Sequence, residues 1–386
     1  MRAAGAIDER VACGERYFGA EADKLARLCH AMAERFARGG RLIAFGASAA
    51  DLSDVRHVAV EFVHPVIVGK RALPALGVAC ADVGLLARPG DIAMAFGDAP
   101  EVGAAVEAAS ALGCLTVAFA PVGAEWELLV PTHDPFVAQE QVETTYHVLW
   151  ELVHVFFEHR GLLAGRTGRA HHDSGASAFL YPFLAEAEHD LDAVLADVRA
   201  SALAKAAEAG ALRAATLAEA RATLDDAAFA LRLCFAGGGK LLALGNGGSA
   251  TDAMDAVADL RRPPDGWRAW PAIDLTEDAP ILTAVGNDVG IEAIFARQVI
   301  AYGDAGDAVL SFSTSGSSAN VIAALAEARR RGLVTIAMVG YDGGRIAAER
   351  LADHVVVTRS EHIPRIQEAQ ASAWHVLREL LEEEDA

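Results

Sequence analysis

The chain has 386 residues, 53% of them hydrophobic, and a formal net charge of −20. That length suggests two or three domains with sizeable cores, and the acidic excess argues against nucleic-acid binding or attachment to an anionic membrane surface, which need clustered Lys and Arg. Apolar runs fall short of the ~18 residues of a membrane span, and Asp8 and Glu9 stand where a signal peptide would be apolar, so a cytoplasmic protein is expected.

Taken in chain order, residues 1–160 alternate short apolar runs with helical stretches, the pattern of a parallel sheet with helices on both faces. The first apolar run ends in Gly46-Ala47-Ser48-Ala49-Ala50. His57 and Glu61 follow at i,i+4 spacing, which puts both side chains on one helix face. A later turn, Gly97-Asp98-Ala99-Pro100-Glu101, has two carboxylates and no hydroxyl. Gln139 and His147 lie on the closing helical stretch. Residues 161–179 lack periodicity and read as a linker, with His171-His172-Asp173 a solvated loop rather than a metal site. Residues 180–386 begin with Ala-rich helices over 185–233 and continue with the same strand–helix alternation. The five cysteines (Cys13, Cys29, Cys80, Cys114, Cys234) show no metal-ligand spacing and read as reduced core residues.

Two segments of the second half have the form of a phosphate cradle. Gly245-Asn246-Gly247-Gly248-Ser249 follows the run 241–244, and Ser313-Thr314-Ser315-Gly316-Ser317-Ser318 follows 308–312. Helical stretches begin near Ala250 and Ala319. Strand, small-residue loop and helix N-terminus together present backbone N–H groups to an anion. The hydroxyls of Ser313, Thr314, Ser315 and Ser318 add donors. The implied ligand is a phosphorylated small molecule.

The two halves repeat one another. Segments 36–46 and 235–245, 73–76 and 270–273, 90–96 and 306–312, 115–118 and 334–337, and 147–152 and 375–380 match in the same order, the mark of a duplicated domain. The second half carries an insertion, 274–300, where the first has only 78–88.

These residues resemble the sugar isomerase (SIS) domain family in duplicate. The second half looks like the phosphoheptose isomerases, which interconvert sedoheptulose 7-phosphate and a glycero-manno-heptose 7-phosphate. The motifs that carry the likeness are 245–252, Leu282-Thr283-Ala284-Val285-Gly286-Asn287-Asp288, Phe295-Ala296-Arg297-Gln298, 313–321, Ile363-Pro364-Arg365-Ile366-Gln367-Glu368 and His375. The resemblance implies two tandem flavodoxin-like α/β domains, a homodimer forming a pseudo-tetramer of SIS domains, a phosphorylated sugar as ligand and no nucleotide cofactor. It places Asn246, Gly247, Gly248, Ser249, Asp288, Ser313, Thr314, Ser315, Ser318 and Gln367 at the substrate.

The resemblance also implies a Glu and a His for proton transfer and, in several relatives, a zinc ion. The family's His and Glu fall on His57 and Glu61 in the first half but on Asp255 and Asp259 in the second. The last-helix Gln and His fall on Gln139 and His147, and on Gln367 and His375. The expected catalytic residues are therefore Glu61, His147, His375 and Asp259, and the expected zinc ligands His57, Glu61, Gln139 and His147. The family's Arg after the Glu falls on Pro263, with Arg261 or Arg262 as substitutes. Gln139 and His147 are eight residues apart, about 12 Å along a helix, too far for one ion with ligands ~2 Å away. Either the helix begins after Gln139, or Gln and His come from different halves or chains. The mixed arrangement, in which Gln367 or His375 completes the His57/Glu61 site and a reciprocal site holds Asp255 and Asp259, is the favoured one. One half keeps the cradle and the other keeps His/Glu, so a composite sugar-phosphate isomerase site is expected. The alternative is a non-catalytic sugar-phosphate sensor or partner-binding protein on the same fold.

Overall fold

The computed structural model describes residues 2–66, 70–158 and 190–383. The expected linker 161–179, His171-His172-Asp173 and the boundaries near 160 and 180 lie outside them. By compactness the chain divides into a first unit, 12–133 with 141–208, and a second unit, 1–11 with 134–140 and 209–386. Short stretches of α1 (Arg2–Ala37) and α5 (Pro135–Glu158) thus belong to the second unit, and the start of α6 (Leu191–Ala236) to the first.

The first unit is built on β1 (Leu42–Gly46), β2 (Ala75–Ala79), β3 (Ile92–Ala95), β4 (Leu115–Ala118) and β5 (Trp126–Glu127), with α2 (Ala49–Val63), α3 (Val83–Leu86) and α4 (Pro100–Ala111) between them. All strands pair in parallel in the order β2-β1-β3-β4-β5. Strands β1, β3 and β4 are buried end to end, as expected when helices cover both faces. Alternation along β1 sends Leu42 and Ala44 into the core shared with α1 and α5, and Ile43 and Phe45 into the core under α4.

The second unit repeats this plan with β6 (Leu241–Leu244), β7 (Ala272–Asp274), β8 (Ala308–Ser313), β9 (Val334–Gly340) and β10 (His354–Thr358). Its helices are α7 (Gly248–Arg261), α8 (Ala279–Asp288), α9 (Ile294–Tyr302), α10 (Ala319–Arg330), α11 (Gly344–Ala348) and α12 (Ile363–Glu382). Its strands are also all parallel, in the order β7-β6-β8-β9-β10, so both sheets have the 2-1-3-4-5 flavodoxin-like order. In such sheets ligands bind beyond the carboxyl ends of the strands where the order reverses. Here that point lies between β6 and β8, and the loops leaving those two strands are the glycine and serine loops singled out above. The insertion 274–300 forms α8 and α9. No helix among the described residues is long and apolar enough to cross a membrane.

Candidate functional site

The glycine and serine loops of the second unit are fastened to each other. Asn246 Nδ2 donates to Asn320 Oδ1 at 3.0 Å and Asn320 Nδ2 returns a bond to Asn246 Oδ1 at 2.8 Å. This reciprocal amide pair links the glycine loop to the first turn of α10. Gly247, the residue before α7, has φ +58, and Gly316 has φ +58 in a place where a Cβ would collide with the backbone of Gly343, so each position favours glycine. Ser318 precedes α10 without spending its hydroxyl on a cap, and that oxygen lies 3.5 Å from Ser313 Oγ. Ser249 and Ser313 are buried, Thr314 and Ser318 half-buried, and Ser315 exposed. Ser317 instead accepts a bond from Arg345 N at 3.1 Å and anchors the loop to α11. Asp288 ends α8 in an exposed position beside Asn287.

Along α7 from the glycine loop lie Asp255 and Asp259, one turn apart and both buried. His375 on α12 completes the group: its Nε2 is 3.4 Å from Asp255 Oδ2 and 3.7 Å from Asp259 Oδ2, close enough for charge attraction but without a well-formed hydrogen bond. Trp374 Nε1 donates to Asp259 Oδ2 at 2.8 Å. Burial, together with the neighbouring Asp255 charge, pushes the Asp259 carboxyl up to about 7, against the attraction of His375. Burial opposes charge on His375, but the close Asp255 carboxylate, the bond to Glu140 with its charge, and the Asp259 charge outweigh this and hold the imidazole well above its usual range. Glu140, fully buried, is held well below the usual carboxylate range: burial works against this, and Arg10, His375 and Arg213 prevail.

In the first unit the equivalent residues form a different kind of cluster. His57 Nε2 lies 3.3 Å from His147 Nε2 and 4.0 Å from Glu61 Oε1, and Glu143 joins the two histidines with all ligand atoms within 4.8 Å. Tyr146 Oη sits 2.9 Å from His57 Nδ1. If Nδ1 gives its proton to that oxygen, Nε2 presents a lone pair to the cluster. Burial and the adjacent His147 keep the His57 imidazole neutral, well below its usual range. Burial pushes the Glu61 carboxyl up to about 7, and its Oε2 is buried without a hydrogen-bond partner. Two imidazoles, the neutral His57 among them, carboxylate oxygens and an orphaned buried oxygen fit a divalent cation such as zinc.

The first unit's counterpart of the cradle is filled from within. Ser48 caps α2, and the carboxylate of Asp51 accepts from Ala47 N at 3.1 Å and Ser48 N at 2.8 Å, the loop amides an anion would use. A Cβ on Gly97 would collide with that same carboxylate, so Asp51 also occupies the space beside the second loop. In the second unit the third residue of the equivalent helix is Ala250, which has nothing to put there.

The expected catalytic and metal-ligating residues fall into these two clusters, with one regrouping. Gln139 was expected beside His57, Glu61 and His147; its Nε2 donates to Asp255 Oδ1 at 2.6 Å. His375, expected as an alternative to Gln367 to complete the His57/Glu61 group, sits with Asp255, Asp259 and Glu140. Helix α5 does include Gln139, so a Gln and a His from different sequence halves meet at one carboxylate pair. Gln367 is buried on α12. Arg261 Nε donates to Ala272 O at 2.7 Å and ties α7 to β7. Sequence reasoning missed Arg10, Asp51, Glu140, Glu143 and Arg213. Glu140 had a signal, since Gln139-Glu140 repeats as Gln367-Glu368. Asp51 lies in a local capping pattern with Ser48; Arg10, Glu143 and Arg213 had no signal, because their partners are distant in sequence or depend on helix phase.

Comparison with known proteins decides the family. A model of the SIS domain matches residues 206–340. The phosphoheptose isomerase of Geobacter metallireducens is 47% identical over 159 residues, 40% of this chain and 83% of that protein. That of Citrifermentans bemidjiense is 48% identical over 148 residues, 38% of this chain and 76% of that protein. The chain belongs to the SIS-domain family. Among solved structures, the C-terminal domain of glucosamine-fructose-6-phosphate aminotransferase from Francisella tularensis covers 99% of this SIS protein and 95% of its own chain, with TM-score 0.61 and 11% identity. Tagatose-6-phosphate ketose/aldose isomerase from Escherichia coli covers 99% and 93%, with TM-score 0.56 and 15% identity. At such identities these likenesses show the fold alone.

Proposed function

We propose that this protein is a sugar-phosphate isomerase of phosphoheptose type, interconverting sedoheptulose 7-phosphate and a glycero-manno-heptose 7-phosphate through an enediol. The chain is an enzyme of the isomerase class, the class of the relatives it matches at up to 48% identity. One observation carries the substrate reading. Within the second unit a single helix, α7, starts at the phosphate loop and carries Asp255 and Asp259 seven and eleven residues further on. At ~1.5 Å per residue that is roughly 10 to 16 Å, room for a sugar chain between an anchored phosphate and an acid–base pair.

In this reading the loop amides and hydroxyls take the phosphate. Asp259, poised near neutral pH, removes the proton from the carbon next to the carbonyl and returns it to the neighbouring carbon. Trp374 steadies the carboxylate oxygen that does so. His375, protonated on Nε2, gives a proton to the carbonyl oxygen and takes one back from the adjacent hydroxyl. Both groups have the properties general acid–base chemistry needs: position, burial and a proton affinity matched to the task.

Incubating the protein with sedoheptulose 7-phosphate tests this directly. Appearance of the aldose phosphate is the expected result. Thermal stabilisation by the sugar phosphate with no turnover would instead support the non-catalytic sensor.

Zinc belongs to the first unit in this reading. His57 and His147 would hold it through Nε2, with Glu61 and Glu143 as the carboxylate donors and Tyr146 orienting His57. When bound, the ion would join α2 to α5 with protein donors alone, as structural zinc sites do. Protein purified without added metal is expected to carry about one zinc per chain. Elemental analysis of a His57→Ala, Glu61→Ala double variant should find none; full retention there would rule the site out.

A further inference from the structure

We propose that Glu140, a residue of the first sequence half, is the positioning residue for His375, fixing which ring nitrogen exchanges a proton at the second-unit site. The inference rests on the isomerase reading above.

His375 Nδ1 lies 2.9 Å from Glu140 Oε1. The rest of the Glu140 carboxylate is already taken. Arg10 Nε donates to Oε1 at 2.9 Å, Ser372 Oγ donates to Oε2 at 2.7 Å, and Arg213 Nε stands 3.9 Å from Oε2 while its Nη2 donates to the Glu140 carbonyl at 2.7 Å. All five residues are at most 2% exposed. A carboxylate held by two guanidinium groups stays ionised and can only accept, so Nδ1 must carry the proton of this bond. That leaves Nε2, the nitrogen facing Asp255 and Asp259, as the exchanging position. The ring plane is fixed as well: Phe136 stacks on the imidazole with centroids 4.6 Å apart and 17° between planes. Phe136 and Glu140 are one turn apart on the first turns of α5, so one short segment sets both the rotation of the ring and its tautomer. A histidine needs such a partner because a free imidazole can lose its proton from either nitrogen; with Nδ1–H held by Glu140, both loss and regain of the proton take place at Nε2.

The test compares Glu140→Gln with Glu379→Gln. Glu379 touches Arg10 from the rim of the same network but does not reach His375. Glu140→Gln should lower kcat for the sugar phosphate by about 100-fold or more, the scale of a misplaced general acid, and leave KM within about threefold. Glu379→Gln should hold kcat within about threefold, as for a partly exposed ion pair. Nitrogen-15 NMR of histidine-labelled full-length protein gives a readout independent of turnover. The wild type should show His375 with a strongly hydrogen-bonded Nδ1–H, and Glu140→Gln should lose that signature. A folded Glu140→Gln protein with near-normal kcat, or equal losses in both variants, would overturn the proposal. So would an unprotonated Nδ1 in the wild type, a result that stands even if Glu140→Gln fails to fold. Absence of isomerase activity in the wild type would sink the functional reading alone, leaving the NMR result to judge the role of Glu140.

Discussion

Asp259→Asn is expected to lower kcat by roughly 10²- to 10⁴-fold, the range of a lost general base, with the sugar phosphate still bound. The asparagine keeps the shape of the side chain and can still accept from Trp374, so the fold should survive. The pH profile sharpens the test. Asp259 must be ionised to take a proton, and its carboxyl is raised to about 7, chiefly by burial and then by the Asp255 charge. Activity of the wild type should therefore rise with pH, about tenfold per unit below 7, and level off above it. That limb alone does not identify the base, because burial also sets Glu61 near 7. The variants do: the limb should persist in Glu61→Gln and vanish in Asp259→Asn. The reverse pattern would restore Glu61 as the base, as the composite reading of the sequence expects.

Ser315→Ala combined with Ser318→Ala should weaken substrate binding by roughly 10²- to 10⁴-fold, since each donor lost to a charged group is worth about 1.5–3 kcal/mol. Neither hydroxyl is committed to holding a helix end: Ser318 makes no side-chain cap, and Ser315 Oγ only accepts from Ser317 N at 3.3 Å within the loop. The loss should therefore appear in binding rather than in stability. Calorimetric titration with the sugar phosphate would measure it, with thermal unfolding as the control. Asp98→Asn with Glu101→Gln, at the corresponding loop of the first unit, should leave the titration unchanged. Equal weakening by the two pairs would mean that both units take part in phosphate binding.

The sheets and loops were legible because they rest on local rules. Apolar runs of four to seven residues, glycines before helices and the order of the repeat all lie in short windows, and they predicted both parallel sheets and the strand–loop–helix form of the glycine and serine segments. His57, Glu61, His147, Asp255, Asp259 and His375 were legible too, through the family's helix spacing, while Glu140 and Glu143 were not. The grouping within the clusters was not. Whether Gln139 meets His57 or Asp255 depends on where α5 passes other helices, which a residue count along one helix does not fix. Spacing along the helix showed only that Gln139 and His147 are too far apart to share an ion. Glu140 escaped notice although Gln139-Glu140 repeats as Gln367-Glu368, because a repeat does not reveal a partner; its meaning lies in Arg10, Arg213 and His375, as many as 235 residues away. Asp51 escaped for the opposite reason. Its bonds are local, and the Ser48–Asp51 pair reads as an ordinary capping box.

That aspartate has a further consequence. A carboxylate tethered three residues from the amides it occupies acts at an effective concentration no dissolved metabolite reaches. The first unit thus carries its own carboxylate at these amides as part of the chain, and a dissolved anion would have to displace it. The two units therefore differ at equivalent places: in the first a carboxylate of the chain sits on the loop amides, and in the second that position is Ala250 and the amides have no such side chain beside them. Hydrogen exchange on adding sugar phosphate should accordingly slow over residues 245–250 and 313–320 and leave 46–51 as they were.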